Sequence, residues 1–205
     1  MDLTQNIINT VGQHVFRYDP PKFIEKDAPF RAKNPTAAEE QASKMNGEEP
    51  RYQFLGEGYY FWDHNIGRAH KWGASHYNGK YLILEADMVL SGDKFLDMVG
   101  SREDLRIFID AYEYLKKRDG GLKVGAFFKV MQTIAKYQPS AWPFTIIRAL
   151  NVKRNGNFVA YNHLPNSDML LNPEIIICFY DKKELNLQNT RYFDKNNNPW
   201  TPRIS

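Results

Sequence analysis

Three short segments, far apart in the chain, carry the side chains best suited to chemistry. The first holds His14 and Arg17 in an aromatic, β-branched stretch, the second is the glycine- and aromatic-rich run 56–63, and the third is Glu174 ahead of an apolar run. Glycines let a backbone approach a flat ligand closely, and consecutive aromatic residues offer faces on which a planar ring can stack. A single carboxylate at the mouth of an apolar strand is costly unless it is solvated or paired, so Glu174 is a candidate acid, base or cation stabiliser.

Several common chemistries are excluded by the motifs that the chain lacks. No G-x-G-x-x-G opens a βαβ unit and no GK[ST] loop is present, which excludes dinucleotide-fold dehydrogenases and P-loop enzymes. His64, His70 and His76 are six residues apart, so they lie on different helix faces and are interpreted as surface or base-stacking residues. Without Gly-x-Ser-x-Gly, and with Cys178 inside a predicted buried strand, serine or thiol hydrolase chemistry is not expected.

Composition indicates one ordinary domain that folds on its own. The 205 residues are 42% hydrophobic and 25% charged, which is enough apolar material for a sizeable core. The net charge of +3 comes from a near balance and gives only a mild preference for anionic ligands. A single cysteine favours a reducing compartment, and the chain has neither an apolar signal region nor a long apolar run, so we expect a cytoplasmic protein with no signal peptide and no membrane partner.

Strand patterns at both ends of the chain and helical patterns in the middle predict the α+β class. Strands are predicted at 13–19, 56–61, 81–89, 144–152, 158–161 and 174–180, and helices at 65–72, 101–118 and 124–137. The segment 32–50 is predicted to be a helical or loop insertion. The two longer helices are expected to pack on a sheet through apolar stripes: Leu105, Phe108, Ile109, Tyr112 and Leu115 in the first, and Phe127, Phe128, Met131 and Ile134 in the second.

Alternation along the first strand separates the two candidate residues of that segment. Val15 and Arg17 face one side of the strand, whereas His14, Phe16 and Tyr18 face the other. His14 and Arg17 therefore cannot both point into one cleft unless the strand bulges.

The central segment resembles a known motif. It combines two glycines, a Tyr-Phe pair, an Asp and an Ala in one register: Gly56, Gly58, Tyr60, Phe61, Asp63 and Ala69. This pattern is similar to the central motif of the poly(ADP-ribose) polymerase and diphtheria-toxin-like ADP-ribosyltransferases, in which a glycine-x-glycine-x-tyrosine-phenylalanine segment leads into a helix.

The outer segments resemble the first and last motifs of the same superfamily. Phe16-Arg17, with prolines soon after, is similar to the first strand of the cholera- and pertussis-toxin-like branch, which makes Arg17 the expected anchor. His14 is the alternative, although the histidine branch usually has glycine after its histidine and here Val15 follows. Glu174 matches the glutamate at the start of a late strand. The chain lacks the Ser-Thr-Ser of the arginine branch, and it has Asn172 where arginine-directed members have a second glutamate.

The resemblance implies a fold and an activity. The expected fold is a single catalytic domain over 1–205, with a split β-sheet cleft and central helices. The expected enzyme is an NAD+-dependent mono-ADP-ribosyltransferase, a pentosyltransferase that cleaves nicotinamide from NAD+ and transfers ADP-ribose to a protein or a nucleic acid. NAD+ is the co-substrate, and no metal is expected. Many small members are toxins or injected effectors, so delivery into a target-cell cytosol and an antitoxin or immunity partner are also expectations.

Residue roles follow from the resemblance. Tyr60 is expected to stack on nicotinamide, and Arg17 to contact the ribose or a phosphate. The backbone of Gly56 and Gly58 is expected to approach the ring, and Glu174 to hydrogen-bond the ribose 2′-hydroxyl and stabilise the cation that forms.

Three further residues complete the expected site. Tyr59, or Trp72 in its place, is a candidate second wall of the nicotinamide slot, and Ala69 belongs to the NAD+-binding set. Asn172 is expected to contact the acceptor, because its carboxamide can both donate and accept hydrogen bonds.

Other interpretations stay open at this point. An RNA 2′-phosphotransferase-like enzyme also consumes NAD+, and a non-catalytic ADP-ribose or nucleic-acid binding module would keep the fold without turnover. The structural alternatives for single residues are that Tyr60 is a core aromatic residue, Arg17 a surface residue paired with Asp19, and Glu174 a solvated charge. Arg68 and His70 are expected to face solvent.

Overall fold

The computed structural model describes residues 7–18, 28–30, 54–119, 122–151, 159–160, 168–169 and 173–201. The predicted insertion at 32–50, the proline pair after β1 and Asn172 lie outside these residues, as do Asp19 and most of the predicted turn at 162–168.

The described elements confirm the α+β class. The strands are β1 Ile8–Arg17, β2 Tyr59–Asp63, β3 Tyr81–Leu90, β4 Phe95–Asp97, β5 Ile146–Leu150, β6 Val159–Ala160, β7 Asp168–Met169, β8 Ile175–Phe179, β9 Leu187–Phe193 and β10 Pro199–Trp200. The helices are α1 Ile66–Tyr77, α2 Arg102–Asp119 and α3 Val124–Tyr137. Short 3-10 turns lie at Ala28–Phe30, Pro139–Ala141 and Lys182–Glu184.

Eight strands form one mixed sheet in the order β10-β9-β3-β1-β2-β8-β5-β4. All neighbours are antiparallel except β4 and β5. β6 and β7 form a separate two-stranded pair. The three strands that carry the candidate segments, β1, β2 and β8, are therefore adjacent at the centre of the sheet.

The junction between β1 and β2 is narrow. β1 pairs with β3 from Ile8 to Arg17 with no irregularity, but its register with β2 covers only Gly12 opposite Asp63 and Gln13 opposite Trp62. The backbone N–H of the next residue, His64, also donates to Val11. The series β10-β9-β3-β1 and the series β2-β8-β5-β4 thus meet over a short ladder.

Strand alternation gives the sheet two faces with different cores. One face, which we call the His14 face, buries aromatic and aliphatic side chains that include Phe16, Phe61, Leu84 and Phe179. The opposite face, which we call the helix face, is covered by α1, α2 and α3. There Ile147, Ile176 and Cys178 pack with residues of α3, and Val15 and Ile83 pack with residues of α1.

The two longer helices have the predicted bounds within a residue. In α3, Phe127, Phe128 and Met131 are buried as expected, and Ile134 is partly buried. The predicted stripe of α2 is partly wrong: Phe108, Tyr112 and Leu115 pack against the core, whereas Leu105 and Ile109 are 39% and 46% exposed. The residues of α2 that pack against the core include Phe108, Ala111, Tyr112 and Leu115, so Leu105 and Ile109 lie at the margin of its apolar arc and stay at the surface.

No helix among the residues described is long and apolar enough to cross a membrane.

Candidate functional site

Glu174 directly precedes β8 and its side chain is 2% exposed. One carboxylate oxygen, Oε1, lies 2.5 Å from Nη2 of Arg68 in α1. The other, Oε2, accepts a hydrogen bond of 3.0 Å from the Asn151 side-chain amide at the end of β5. The carboxylate is therefore buried, oriented by two partners, and directed at the helix face.

Arg68 is positioned by the start of α1. The Asn65 side chain caps the helix by accepting from the Arg68 backbone N–H at 3.1 Å. The following residue, Ala69, is fully buried against Val15 and Ile83, which fixes the first turn on the sheet. The expectation that Arg68 faces solvent is met only in part, because its guanidinium pairs with the buried Glu174 carboxylate while its side chain stays 23% exposed.

A buried amide ties β1 to this helix start. The Gln13 side chain is 3% exposed; it donates to Glu85 on β3 at 3.0 Å and accepts from the Asn65 backbone N–H at 2.8 Å. The helix cap is thereby connected to two neighbouring strands. The position of Arg68 is therefore fixed both by the cap of α1 and by the two strands to which that cap is bonded.

The glycine turn ahead of β2 is held by side chains from distant elements. Gly56 has a φ of +83°, a backbone conformation that favours glycine. The Tyr60 hydroxyl donates to the Gly56 carbonyl at 2.5 Å and accepts from the Leu55 N–H at 2.9 Å. The Tyr180 hydroxyl donates to the Leu55 carbonyl at 2.8 Å, and burial raises the pKa of Tyr180 well above its usual value. Gln132 bonds both backbone groups of Glu57.

Gly58 is explained by close packing. A Cβ atom at this position would lie 2.4 Å from Sγ of Cys178 and 2.7 Å from the Phe179 carbonyl oxygen. The fold therefore accounts for both glycines of the motif without a ligand. Their role in NAD+ binding stays a prediction.

Tyr60 and Glu174 share the helix face but are separated along the strands. Tyr60 is opposite Cys178, so the two side chains start roughly 13 Å apart along β8, at about 3.3 Å per residue. Trp62 is opposite Ile176 and lies between them, half-buried. Along β2, the aromatic side chain nearest to Glu174 on this face is therefore Trp62.

Arg17 is at the other end of β1. It is exposed and faces the same side as Val15, as alternation predicts. Counting from the shared level of Gln13, Trp62 and Ile176, Arg17 and Glu174 are roughly 20 Å apart along the strand direction. The two side chains cannot contact the same ribose.

His14 is buried on the opposite face of the sheet from Glu174. Its ring is 2% exposed, lies among Phe16, Phe30 and Phe61, and has the carbonyls of Tyr60 and Pro29 each 2.8 Å from one ring nitrogen. Burial lowers the pKa of His14, against the opposing effect of the two carbonyls. No bulge turns His14 towards the helix face.

Two other predicted NAD+-binding residues are in the cores. Tyr59 is 6% exposed on the His14 face, where burial, with smaller contributions from Asp181 and Glu57, raises the pKa of its hydroxyl. Ala69 is covered on the helix face. Trp72 is half-buried, stacks on His76, and packs against the cluster of Val15 and Ile83.

A second charged cluster lies on the His14 face at one end of the sheet. Arg148 of β5 pairs with Asp63 at 2.8 Å and with Asp97 at 3.1 Å. The Thr10 hydroxyl also donates to Asp63, and the Asp104 carboxylate accepts from the Asp97 backbone N–H at 2.7 Å. Both paired aspartates are buried. This cluster connects four strands and the start of α2.

The histidines that the structure describes are His14, His64, His70 and His76. Within the described ranges, no group of three His, Cys, Asp or Glu residues is placed to hold a metal ion. His64 and His76 are exposed, in line with the sequence interpretation. His70 is half-buried and lies 3.1 Å from the Tyr81 hydroxyl, so the expectation that it faces solvent is wrong.

Arg68, Asn151 and Arg148 are among the polar residues of these clusters that the sequence does not single out. One signal was available for Arg68. A carboxylate at the mouth of an apolar strand needs a partner, and Arg68 directly precedes the motif residue Ala69. Asn151 and Arg148 reach their partners across the sheet, and the sequence carries no local trace of that pairing.

Comparison of the chain with protein-family models, curated proteins and solved structures finds no match. The geometry of the site is therefore interpreted on its own.

Proposed function

We propose that this protein is an NAD+-dependent ADP-ribosyltransferase whose reaction takes place on the helix face beside Glu174. One observation carries the proposal. Glu174, from the last third of the chain, lies 2.5 Å from Arg68, which is inside the Gly56–Ala69 segment that resembles the central motif of these enzymes. Two segments that the resemblance links in function are thus in direct contact.

The sheet supports the same proposal. The strands of the three candidate segments are neighbours in the order β1-β2-β8. The short ladder between β1 and β2 is what a sheet that splits into two halves requires. Beyond this ladder, β1 contacts β2 through a side chain, since the His14 ring hydrogen-bonds to the Tyr60 carbonyl.

Glu174 has the properties that the chemistry needs. When the glycosidic bond to nicotinamide breaks, its electron pair leaves with nicotinamide and positive charge develops on the ribose. A buried carboxylate stabilises such a charge more strongly than an exposed one, because little water screens it. Asn151 and Arg68 both hold the Glu174 carboxylate before substrate binds, and the Asn151 hydrogen bond keeps the carboxylate oriented for the reaction. Glu174 would also accept a hydrogen bond from the ribose 2′-hydroxyl.

Two aromatic residues of β2 are candidates for the side chain that stacks on nicotinamide. Tyr60 remains the residue that the motif indicates, but its hydroxyl holds the glycine turn. Trp62 is closer to Glu174 along the strand and is half-buried. We propose that Trp62 and Tyr60 together line the nicotinamide end of the cleft, with Trp62 nearer the reacting ribose.

The acceptor is proposed to be a macromolecule, either a protein or a nucleic acid. A role as a toxin or effector with a neutralising partner is part of the same proposal. Incubation with labelled NAD+ and separate RNA, DNA and protein fractions identifies the acceptor class.

The test is release of nicotinamide from NAD+ by the purified protein and by its Glu174→Gln variant. Loss of one charge-stabilising group typically lowers the rate by about 10²–10³, and glutamine keeps the shape of the side chain. Glu184→Gln is the matched control, because Glu184 is a partly exposed carboxylate paired with Lys94 away from the site. Thermal unfolding of all three proteins checks that the fold is intact.

The proposal fails if Glu174→Gln releases nicotinamide at the rate of the wild type. A wild type that binds ADP-ribose but releases no nicotinamide would instead identify a non-catalytic binding module.

A further inference from the structure

We propose, on the basis of the proposed function, that Arg68 binds the diphosphate of NAD+ and leaves Glu174 to do so. In this view the ion pair is the resting arrangement of the site. When the dinucleotide binds, this ion pair is replaced by two new ones, in which Arg68 pairs with the diphosphate and Glu174 faces the positive nicotinamide end.

The exposure of the two side chains gives the order of approach. The Arg68 side chain is 23% exposed and that of Glu174 is 2% exposed. The Arg68 side chain is therefore the more exposed member of the pair, and the Glu174 carboxylate is the buried one. A ligand that arrives from solvent meets a cation before it meets Glu174.

Both carboxylate oxygens already have partners. Arg68 lies against Oε1 and Asn151 donates to Oε2. A ribose hydroxyl that donates to Oε1 would share this oxygen with the guanidinium, which weakens the attraction between the carboxylate and Arg68. Binding of the ribose at Glu174 thus favours movement of the Arg68 side chain away from the carboxylate.

Arg68 can move without loss of the fold. Its backbone is fixed by the Asn65 cap and by the buried Ala69, but its side chain has a long flexible stem. The planar guanidinium matches two phosphate oxygens at once, a pairing that is short and charge-assisted. A guanidinium that leaves Glu174 can pair with the diphosphate, whose oxygens match its planar fork.

The charges of NAD+ match this exchange. The dinucleotide carries one positive nicotinamide and a negative diphosphate. Glu174 would face the positive end and Arg68 the negative part, so each charge of the resting pair acquires an opposite charge. Arg17 is not suited to this role at Glu174, because it is roughly 20 Å away along the strand direction.

The experiment measures binding of inorganic pyrophosphate and of ADP-ribose by titration calorimetry. Arg68→Gln is expected to weaken both by about 10- to 100-fold, the usual effect of losing a charge-assisted hydrogen bond. Glu174→Gln is expected to tighten pyrophosphate binding by about two- to fivefold, because the carboxylate no longer competes for the guanidinium. Lys71→Gln, an exposed cation in the same helix, is the control and should leave binding unchanged.

Unchanged or weaker pyrophosphate binding in Glu174→Gln overturns the exchange, and so does retained binding in Arg68→Gln or no binding by any of the proteins. Arg68→Lys keeps the charge but not the fork, and should bind with intermediate affinity. It also replaces Arg68→Gln if that variant does not fold.

Turnover separates this inference from the proposed function. If the pyrophosphate pattern is found but NAD+ is not cleaved, the proposed function fails and the anion site remains. If NAD+ is cleaved but the pattern is absent, Arg68 has another role. Where NAD+ is cleaved, Arg68→Gln should raise KM for NAD+ by about 10- to 100-fold but not KM for nicotinamide riboside, which has no phosphate.

Discussion

Gly58 lies where the chain enters β2, and its hydrogen occupies the space beside Cys178 and the Phe179 carbonyl. A methyl group there would be 2.7 Å from a backbone oxygen, so the two strands would have to separate. Gly58→Ala is expected to lower the free energy of unfolding by about 1–3 kcal/mol, as overpacking of a core does. Urea denaturation measures the change.

Gly67→Ala is the matched control. Gly67 is exposed in the first turn of α1, and a Cβ atom there would meet only the Asn65 side chain, at 3.8 Å. Alanine in place of an unstrained helical glycine stabilises by about 0.4–1 kcal/mol. Equal effects at the two positions would contradict the packing argument for Gly58.

For single residues, the sequence shows that a side chain requires a partner more reliably than it shows which residue that partner is. It predicted that Glu174 must be solvated or paired, and the residue is paired. It attributed Gly56 and Gly58 to the approach of a ligand, because a sequence does not show which distant strand passes close to a glycine. The same limitation concealed Arg148 and Asn151, whose partners lie across the sheet.

At the scale of elements, Arg148 joins strands that are distant in sequence. It lies between two buried carboxylates, those of Asp63 and Asp97. Arg148→Met would leave both charges buried without their cation, a change that typically costs about 3–5 kcal/mol. We expect a loss of that size in chemical denaturation.

Arg191→Met is the control for Arg148→Met, because it removes an arginine from an exposed ion pair instead of a buried one. Arg191 is 57% exposed in its pair with Glu85, and exposed pairs contribute about 0–1 kcal/mol. Adding Asp63→Asn and Asp97→Asn to Arg148→Met should recover part of the lost stability, since the unpaired charges are removed. If the triple variant is less stable than Arg148→Met alone, burial of unpaired charge is not the cause.

Elements with strong periodicity could be predicted from the sequence, and the others could not. The helices α2 and α3 have the expected bounds because their apolar residues repeat with the helical period. β9 is mostly exposed at the side of the sheet and carries a polar sequence, so it lacks the alternation that marks a strand. β4 has three residues, too few for a pattern.

At the scale of the whole molecule, the order of the strands in the sheet could not be predicted from the sequence. The α+β class follows from the succession of patterns, but the order β10-β9-β3-β1-β2-β8-β5-β4 depends on long-range pairing that leaves no local mark. The resemblance of three segments to one family predicts a shared site, but the adjacency of β1, β2 and β8 is seen only in the structure. It is this adjacency that gives the candidate site its geometry.

His14 lies where the two halves of the sheet separate, and it connects β1, the Tyr60 carbonyl of β2 and the turn at Pro29. Burial lowers its pKa below the ordinary value of 6.5, although both carbonyl acceptors favour the charged ring. The unfolded chain therefore binds a proton at His14 more readily than the folded protein. The contribution of His14 to stability is present above pH 6.5 and is lost as the pH falls below it.

We expect the free energy of unfolding of the wild type to fall between pH 7 and pH 5.5 more steeply than that of His14→Gln, by up to about 1.4 kcal/mol per pH unit. Comparison of the two proteins at pH 8, where the ring is neutral in both states, separates lost packing from the pH-dependent part. The opposite result, a wild type that gains stability over His14→Gln on acidification, would mean that the two carbonyls outweigh burial. The junction of the sheet would then be held by an imidazolium on β1 that donates to the Tyr60 carbonyl of β2 and to the Pro29 carbonyl of the turn.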